Sequence, residues 1–501
     1  MNKIKKITNY LISSEGTLSQ RVVRSGFWVF FLRIFNQGFN VLRLIILARI
    51  LSPNDFGLMG IALLTMSILE TFSETGFQQA LIQKKEDIKS YLDSAWTVLI
   101  LRGFVLFVIL YFIAPYAAVF FNTPEAKPII RVIGFSILFQ AFTNIGITYF
   151  KKELEFNKEF IYQFTGTLAD FIVAISAVLI LRNVWALVLG LLAGNITRCF
   201  VSYLIHPYRP RLYFALEKVK ELFGFGKWIF GSSVLIFLLS HGDDILVGKL
   251  LGTTALGFYQ LAYRISNMPA TEITHVISQV TFPAYSKLQD NIPKLKEAYL
   301  KVLQLTAFLS FPIAGLIFIL APDFTKIFLG EKWMPMVPAM QVLCILGALR
   351  SIAAALGPIF LALGRPDFDT KISAAELALL AILIYPLTTK WGITGTAISI
   401  SIVSCSFIFI ILAIVIRLVK MEKIEILNLM RCISFPLLAI IPLFPVKMFI
   451  LKPLMENDVS LFCVTILTGV CIYLISILIL DRYSGYNLMA NLKYALKIVR
   501  V

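Results

Sequence analysis

The chain has 501 residues, of which 58% are hydrophobic and 15% charged, and this excludes a water-soluble enzyme or binding domain, whose surface needs far more polar cover. Its mean hydropathy of +0.83 requires lipid as the solvent. The formal net charge of +17 does not mark a nucleic-acid binder, because the basic residues sit in loops between apolar runs rather than on one folded soluble face.

Residues 1–26 carry Lys3, Lys5, Lys6, Arg21 and Arg24. No apolar run with a small-residue cleavage site precedes Phe27, so no cleaved signal peptide is expected and the segment reads as a cytoplasmic, amphipathic start. Apolar stretches of about 18 to 28 residues then succeed one another, each able to cross a hydrocarbon core of roughly 30 Å as a helix. Spans are predicted at Phe27–Leu51, Phe56–Gln83, Ala95–Phe121, Ile129–Phe150, Phe160–Leu181, Val184–His206 and Trp228–Leu251. They continue at Leu256–Leu288, Ala298–Leu320, Met336–Leu363, Ile372–Thr389, Ile393–Leu418, Cys432–Ile450 and Val459–Leu480. The fold class is therefore an all-α polytopic membrane protein of about fourteen transmembrane helices. Five segments follow: a cytoplasmic N-terminal segment (1–26), a six-helix bundle (27–206), a cytoplasmic linker (207–227), a second six-helix bundle (228–418), and two more helices with a cytoplasmic tail (419–501). With the N-terminus inside, about 29 Lys and Arg lie on the cytoplasmic side, among them Lys84, Lys85, Lys151, Lys152, Arg209, Arg211, Lys218, Lys220 and Lys423, against about 9 outside. That asymmetry orients the chain with both termini cytoplasmic.

A shift of 200 residues aligns Arg49-Ile-Leu-Ser-Pro-Asn-Asp-Phe-Gly57 with Lys249-Leu-Leu-Gly-Thr-Thr-Ala-Leu-Gly257, and pairs Ala62 with Ala262, Thr71 with Thr271 and Gln79 with Gln279. Ala114-Pro115 before Phe120 and Phe121 echoes Ala321-Pro322 before Phe328 at a shift of 207. Two pseudo-symmetric halves of six helices, pointing the same way, suit a transporter that rocks two bundles around a central site. Pro269, Pro283, Pro312, Pro358 and Pro386 fall inside spans, where they either permit bending in a moving bundle or are simple kinks. Gly190-Leu-Leu-Ala-Gly194 has the spacing of a close helix contact.

A charge near the bilayer centre costs about 2.5–3.5 kcal/mol on insertion scales, so each one should face the bundle interior. In the first span Arg33, Asn36, Gln37, Asn40 and Arg43 recur at spacings of three and four and form one polar stripe. The eighth span repeats the device with Gln260, Tyr263, Arg264, Asn267, Thr271, Thr274 and His275. The second adds Ser67, Glu70, Thr71 and Glu74, the seventh His241, Asp243 and Asp244, and the tenth Arg350. Together they are predicted to line a wet, cation-rich cavity. For Arg33, Arg43, Arg264 and Arg350 two readings stand, cargo binding and interhelical salt bridges that only hold the bundle together. Glu70, Glu74, His241, Asp243, Asp244 and His275 are candidates for ion coupling or a gate, with Arg43 and Asp243, equivalent under the shift, expected to approach each other. Arg102, Arg131, Arg198 and Lys301 lie nearer span ends and read as structural. Cys199, Cys344, Cys405, Cys432, Cys463 and Cys471 all fall in apolar runs without metal-ligand spacing, so no metal and no cofactor is predicted.

The segment Leu47-Ala-Arg-Ile-Leu-Ser-Pro-Asn-Asp-Phe-Gly-Leu-Met-Gly-Ile-Ala62, continuing to Phe72-Ser-Glu-Thr-Gly-Phe-Gln-Gln-Ala-Leu-Ile-Gln83, resembles the opening of Wzx-type polysaccharide flippases, in particular the WzxC-like branch that exports colanic and teichuronic acids. The resemblance implies the multidrug/oligosaccharidyl-lipid/polysaccharide exporter fold of the bacterial inner membrane. It also implies a cargo, an oligosaccharide repeat unit linked through pyrophosphate to undecaprenol, moved by alternating access, with a polymerase and glycosyltransferases as neighbours and no nucleic acid. Lipid II flippases of that superfamily use cavity arginines on the first and eighth helices, which corresponds by helix to Arg33, Arg43 and Arg264. Guanidinium groups suit such a cargo because they hold phosphate through paired, charge-assisted hydrogen bonds, and Asn36, Gln37, Asn40, Gln260, Tyr263 and Asn267 are suitable partners for sugar hydroxyls. With the cell interior negative, outward movement of each negative charge is favoured by about 2.3 kcal/mol per 100 mV. Two competing readings are a cation-coupled drug antiporter of the same superfamily, which should centre on carboxylates, and a membrane sugar polymerase or ligase, which should carry a large outer loop. Neither a nucleotide-binding glycine loop nor a nucleophile elbow occurs, so no enzymatic activity is expected.

Overall fold

Long apolar runs punctuated by Pro and Gly fold into an all-helical chain. The computed structural model describes residues 18–74, 88–153, 155–268 and 290–484 together with positions 77, 81, 285 and 288. Among the described residues nine helices are long and apolar enough to cross a membrane, or ten if the pair Ala126–Ala141 and Ile145–Lys152, bent by 67°, counts as one. The chain divides into two compact units, Met1–Gly257 and Phe258–Val501.

The first unit holds α1 (Leu18–Ile50), α2 (Pro53–Phe72), α3 (Lys89–Phe120), α4 (Ala126–Ala141), α5 (Phe156–Leu181), α6 (Trp185–Ile205) and most of α7 (Leu216–Ser266). The Ser-Pro-Asn-Asp run quoted above starts α2. The Ser52 hydroxyl accepts from the Asp55 amide, the Asp55 carboxylate accepts from the Ser52 amide at 2.9 Å, and Pro53 opens the helix, so the orphan donors of the first turn are satisfied reciprocally. α2 ends at Phe72 rather than running on to Gln83, because the Ser73 hydroxyl donates back to the Leu69 carbonyl at 2.7 Å and Arg102 donates to the Glu70 carbonyl and to the Ser73 hydroxyl. Gly252, at φ 83°, breaks α7 between the predicted seventh and eighth spans. There the two segments aligned by the 200-residue shift meet: a Cβ on Gly57 would stand 1.8 Å from the Thr253 carbonyl oxygen, and one on Gly257 would stand 2.0 Å from that of Pro53. Gly57 and Gly257 are thus both required by backbone-to-backbone contact.

Two helix starts differ from the expected spans. α1 begins at Leu18 instead of Phe27, and α7 at Leu216 instead of Trp228, because amphipathic turns continue a helix beyond the apolar stretch that hydropathy detects. The predicted linker therefore shortens to the extended residues 206–215, which are strapped onto the first unit. The Tyr208 hydroxyl donates to Asp93 at 2.7 Å, the Arg211 amide donates to the same carboxylate at 2.8 Å, and the Tyr213 and Ala215 amides donate to Thr97 and Ser94. Asn144 donates to the Tyr208 carbonyl at 2.7 Å, and the His206 ring stacks on Tyr149.

The second unit holds α8 (Ile292–Phe324), α9 (Val337–Ala362), α10 (Pro366–Leu418), α11 (Lys423–Ile440) and α12 (Asp458–Ser484). α10 joins two predicted spans and breaks at Gly392, φ 59°. The connection after α8 turns at Gly330, φ 101°, and is anchored by the fully buried Trp333. Lys447, beyond α11, is buried and donates to the Ile319 carbonyl at 2.8 Å and to the Asp323 carboxylate of α8. Large apolar side chains such as Phe112, Tyr116, Ile180, Leu204 and Phe449 stand exposed, as a hydrocarbon surround requires.

Candidate functional site

On α1 the polar stripe is turned toward protein: Asn36, Gln37, Asn40 and Arg43 are half-buried while Phe35 and Leu42 are 37% and 53% exposed. Arg43 Nη2 donates to Asp170 Oδ1 on α5 at 3.0 Å, with side-chain exposures of 19% and 20%. Arg43 therefore takes Asp170 as its partner instead of the expected Asp243. α6 makes this possible, because Gly190 and Gly194 face that part of α5: a Cβ on Gly190 would stand 2.5 Å from Asp170 Oδ1, and one on Gly194 would stand 3.0 Å from the Gly166 carbonyl. The small-residue spacing read from the sequence serves this contact. Arg43 Nε and Asn36 Oδ1 are both buried without a hydrogen-bond partner in the protein, which leaves each open to a water or a polar ligand. The Arg33 side chain and His275 lie outside the described residues.

His241 Nδ1 lies 3.5 Å from Asp244 Oδ2 one turn along α7, and Asp243 is 3% exposed. Glu70 and Glu74 lie near Arg102, which binds the α2 terminus. Arg198 donates to Asn195 and packs across Gly166, Arg131 lies 4.2 Å from the Tyr111 ring centroid, and Lys301 of the second unit pairs with Glu297.

The second unit gathers its own cluster. Arg350 of α9 donates to the Tyr263 hydroxyl and lies 5.5 Å from the ring centroid, so hydrogen bond and cation–π contact fix the guanidinium together. The approach rests on Gly347, where a Cβ would stand 2.5 Å from the Ser266 carbonyl, and on the Ser266 hydroxyl, which donates to the Met340 carbonyl at 2.7 Å. Asn267 is buried and donates to the Tyr263 carbonyl, Gln260 is half-buried and Arg264 exposed. A cavity of about 560 Å³ beside α8 and α9, lined by Phe311, Gly315, Phe318, Cys344, Phe409 and Leu437, carries almost no polar surface, so it suits hydrocarbon and not a charged headgroup.

Asp170 was missed in the sequence although its signal was available, a carboxylate in the middle of the fifth apolar run that obeys the same rule as the arginines.

The sequence matches the family described as "Polysaccharide biosynthesis protein" over residues 46–338. It is 26% identical over 363 residues to the lipopolysaccharide biosynthesis protein WzxC of Escherichia coli, covering 71% of this chain and 73% of that one. It is 28% identical over 331 residues to the teichuronic acid biosynthesis protein TuaB of Bacillus subtilis, covering 64% and 68%. The fold is similar to that of the lipid II flippase MurJ in an inward closed conformation, with a TM-score of 0.73 at 16% identity over 92% of this chain and 99% of that one. It is also similar to an inward-facing multidrug resistance transporter of the MATE family, with a TM-score of 0.62 at 17% identity over 77% and 96%. The matched family segment spans more than half of the chain, so the resemblance to Wzx-type exporters holds and the chain belongs to the polysaccharide biosynthesis protein family.

Proposed function

We propose that this protein carries an undecaprenyl-pyrophosphate-linked oligosaccharide repeat unit from the cytoplasmic to the outer face of the bacterial inner membrane, by alternating access of two six-helix bundles within a fold of fourteen crossings, both termini cytoplasmic. The observation that carries the reading is Arg43, a guanidinium inside the apolar bundle with one nitrogen on Asp170 and Nε buried and unpartnered, beside the amides of Asn36, Gln37 and Asn40. A salt bridge that merely held helices would be expected to satisfy that edge. Diphosphate oxygens match it, because guanidinium binds phosphate in a planar, charge-assisted fork, and the stripe amides suit sugar hydroxyls. Arg350, held by Tyr263, supplies a second positioned cation in the other unit. The polyprenyl tail needs no protein path through the polar stripe, since it can remain in lipid. The neighbouring polymerase and glycosyltransferases of such a process are part of the same proposal.

In cells depleted of the protein, mass spectrometry of polyprenyl-pyrophosphate-linked sugars is expected to find a completed repeat unit accumulating on the cytoplasmic face. Arg43→Ala and Arg350→Ala are expected to reproduce the block. Unchanged lipid pools with altered tolerance of cationic drugs would instead establish a drug antiporter.

A further inference from the structure

An ion pair in the middle of a transport site has to be reconciled with a negatively charged cargo. Asp170 lies 127 residues from Arg43 in sequence and comes from α5, a different helix, yet its Oδ1 receives Arg43 Nη2 at 3.0 Å. The Nε edge of the same guanidinium is buried and carries no hydrogen bond, so the carboxylate satisfies only part of the fork. The α6 face opposite presents Gly190 and Gly194, whose missing side chains leave room for the carboxylate and fix where it sits. Among the described side chains, α1 contributes Arg43, and Arg198 of α6 lies against Gly166, on Asn195. On α5 itself Glu159 is engaged by Gln163 and lies near Lys151. Arg43 is thus a cation that this carboxylate meets directly.

We infer that Asp170 is a resident counter-anion of the cargo site, a positioning residue that holds the Arg43 guanidinium toward the stripe and, by its own charge, limits how tightly Arg43 retains a diphosphate. This rests on the flippase reading. A guanidinium buried without an anion would be costly in the unloaded protein, and one that bound diphosphate without competition would release it slowly. A carboxylate on the same group lowers both costs. It stabilises the unloaded state, repels the incoming anion, and shifts wholly onto Arg43 when the cargo departs.

The experiment uses the full chain in lipid nanodiscs and titrates undecaprenyl pyrophosphate, with thermal unfolding confirming that each variant is folded. Asp170→Asn keeps an acceptor oxygen in place and removes the charge, and is expected to bind the probe about tenfold tighter, since close charge pairs couple by about 1.5 kcal/mol or more and 1.4 kcal/mol is a factor of ten. Asp170→Glu is expected to return the affinity to the wild-type value. In an Arg43→Gln background Asp170→Asn should change nothing, and Asp170→Ser offers the same loss of charge should the amide fail to fold. Equal or weaker binding by both charge-removing variants, or the same gain without Arg43, overturns the inference while leaving the flippase reading intact. Failure of wild type and every variant to bind undecaprenyl pyrophosphate at all overturns both.

Discussion

Replacing Gly57 by alanine would set a methyl carbon 1.8 Å from the carbonyl oxygen of Thr253, where real Cβ contacts essentially never fall below 3.0 Å. About 1.2 Å of movement is needed to relieve the clash, and the atom that must give is backbone, next to the break at Gly252 and tied by the Thr253 hydroxyl to Asn54. Overpacking of a tight site ordinarily costs about 1–3 kcal/mol, and a clash with backbone belongs at or above the upper end. Gly257→Ala meets the reciprocal contact, 2.0 Å from the Pro53 carbonyl, and should behave alike. The assay is thermal unfolding of purified full-length protein in detergent, read as loss of the monodisperse peak. Gly242→Ala in α7, where a Cβ meets nothing within 4 Å, is the control, expected to be neutral or to gain up to about 1 kcal/mol from helix propensity. Gly57→Ala melting together with wild type and with Gly242→Ala would refute the backbone-contact reasoning.

The strap across the first unit should loosen in acid. Burial first, then Lys158 and Arg209, hold the His206 imidazole below its ordinary 6.5, while its Nδ1 accepts the Tyr208 amide at 3.1 Å. Its contribution is therefore complete above pH 6.5 and lost as pH falls through the depressed value, so the protection of amides over residues 206–215, relative to their intrinsic exchange at each pH, should fall in acid in wild type and lose that dependence in His206→Asn. Tyr208→Phe removes a hydrogen bond to the Asp93 carboxylate and should weaken the strap by about 1.5 kcal/mol, seen as faster proteolysis of the linker. In the second unit Lys447→Met leaves the half-buried Asp323 without its cation and should cost about 3–5 kcal/mol in thermal unfolding, whereas Lys447→Met with Asp323→Leu should recover most of it. A double variant no more stable than the single would show that the pair itself is needed.

Hydropathy and helical periodicity are local properties, so what they report was legible along the chain. The apolar spans, the interior-facing stripe on α1 and the small-residue spacing of Gly190 and Gly194 all depend on residues within a few turns of one another. Helix ends were legible only where apolar composition and helix stop together, as at Leu418. They were missed where amphipathic turns prolong a helix, at Leu18 and Leu216, or where Ser73 and Arg102 end one early. Partners were the least legible. The repeat symmetry suggested Asp243 for Arg43, but the carboxylate that Arg43 meets is Asp170 of α5, seated against the glycine face of α6. The joining of Arg350 to Tyr263 likewise depends on Gly347 letting α9 approach α7. By itself the sequence determined that the chain lives in lipid as an all-helical protein and which face of α1 is polar. Only the tertiary structure decided which charges meet, because a hydrogen bond requires placement within a fraction of an ångström, and that depends on how several helices pack at once.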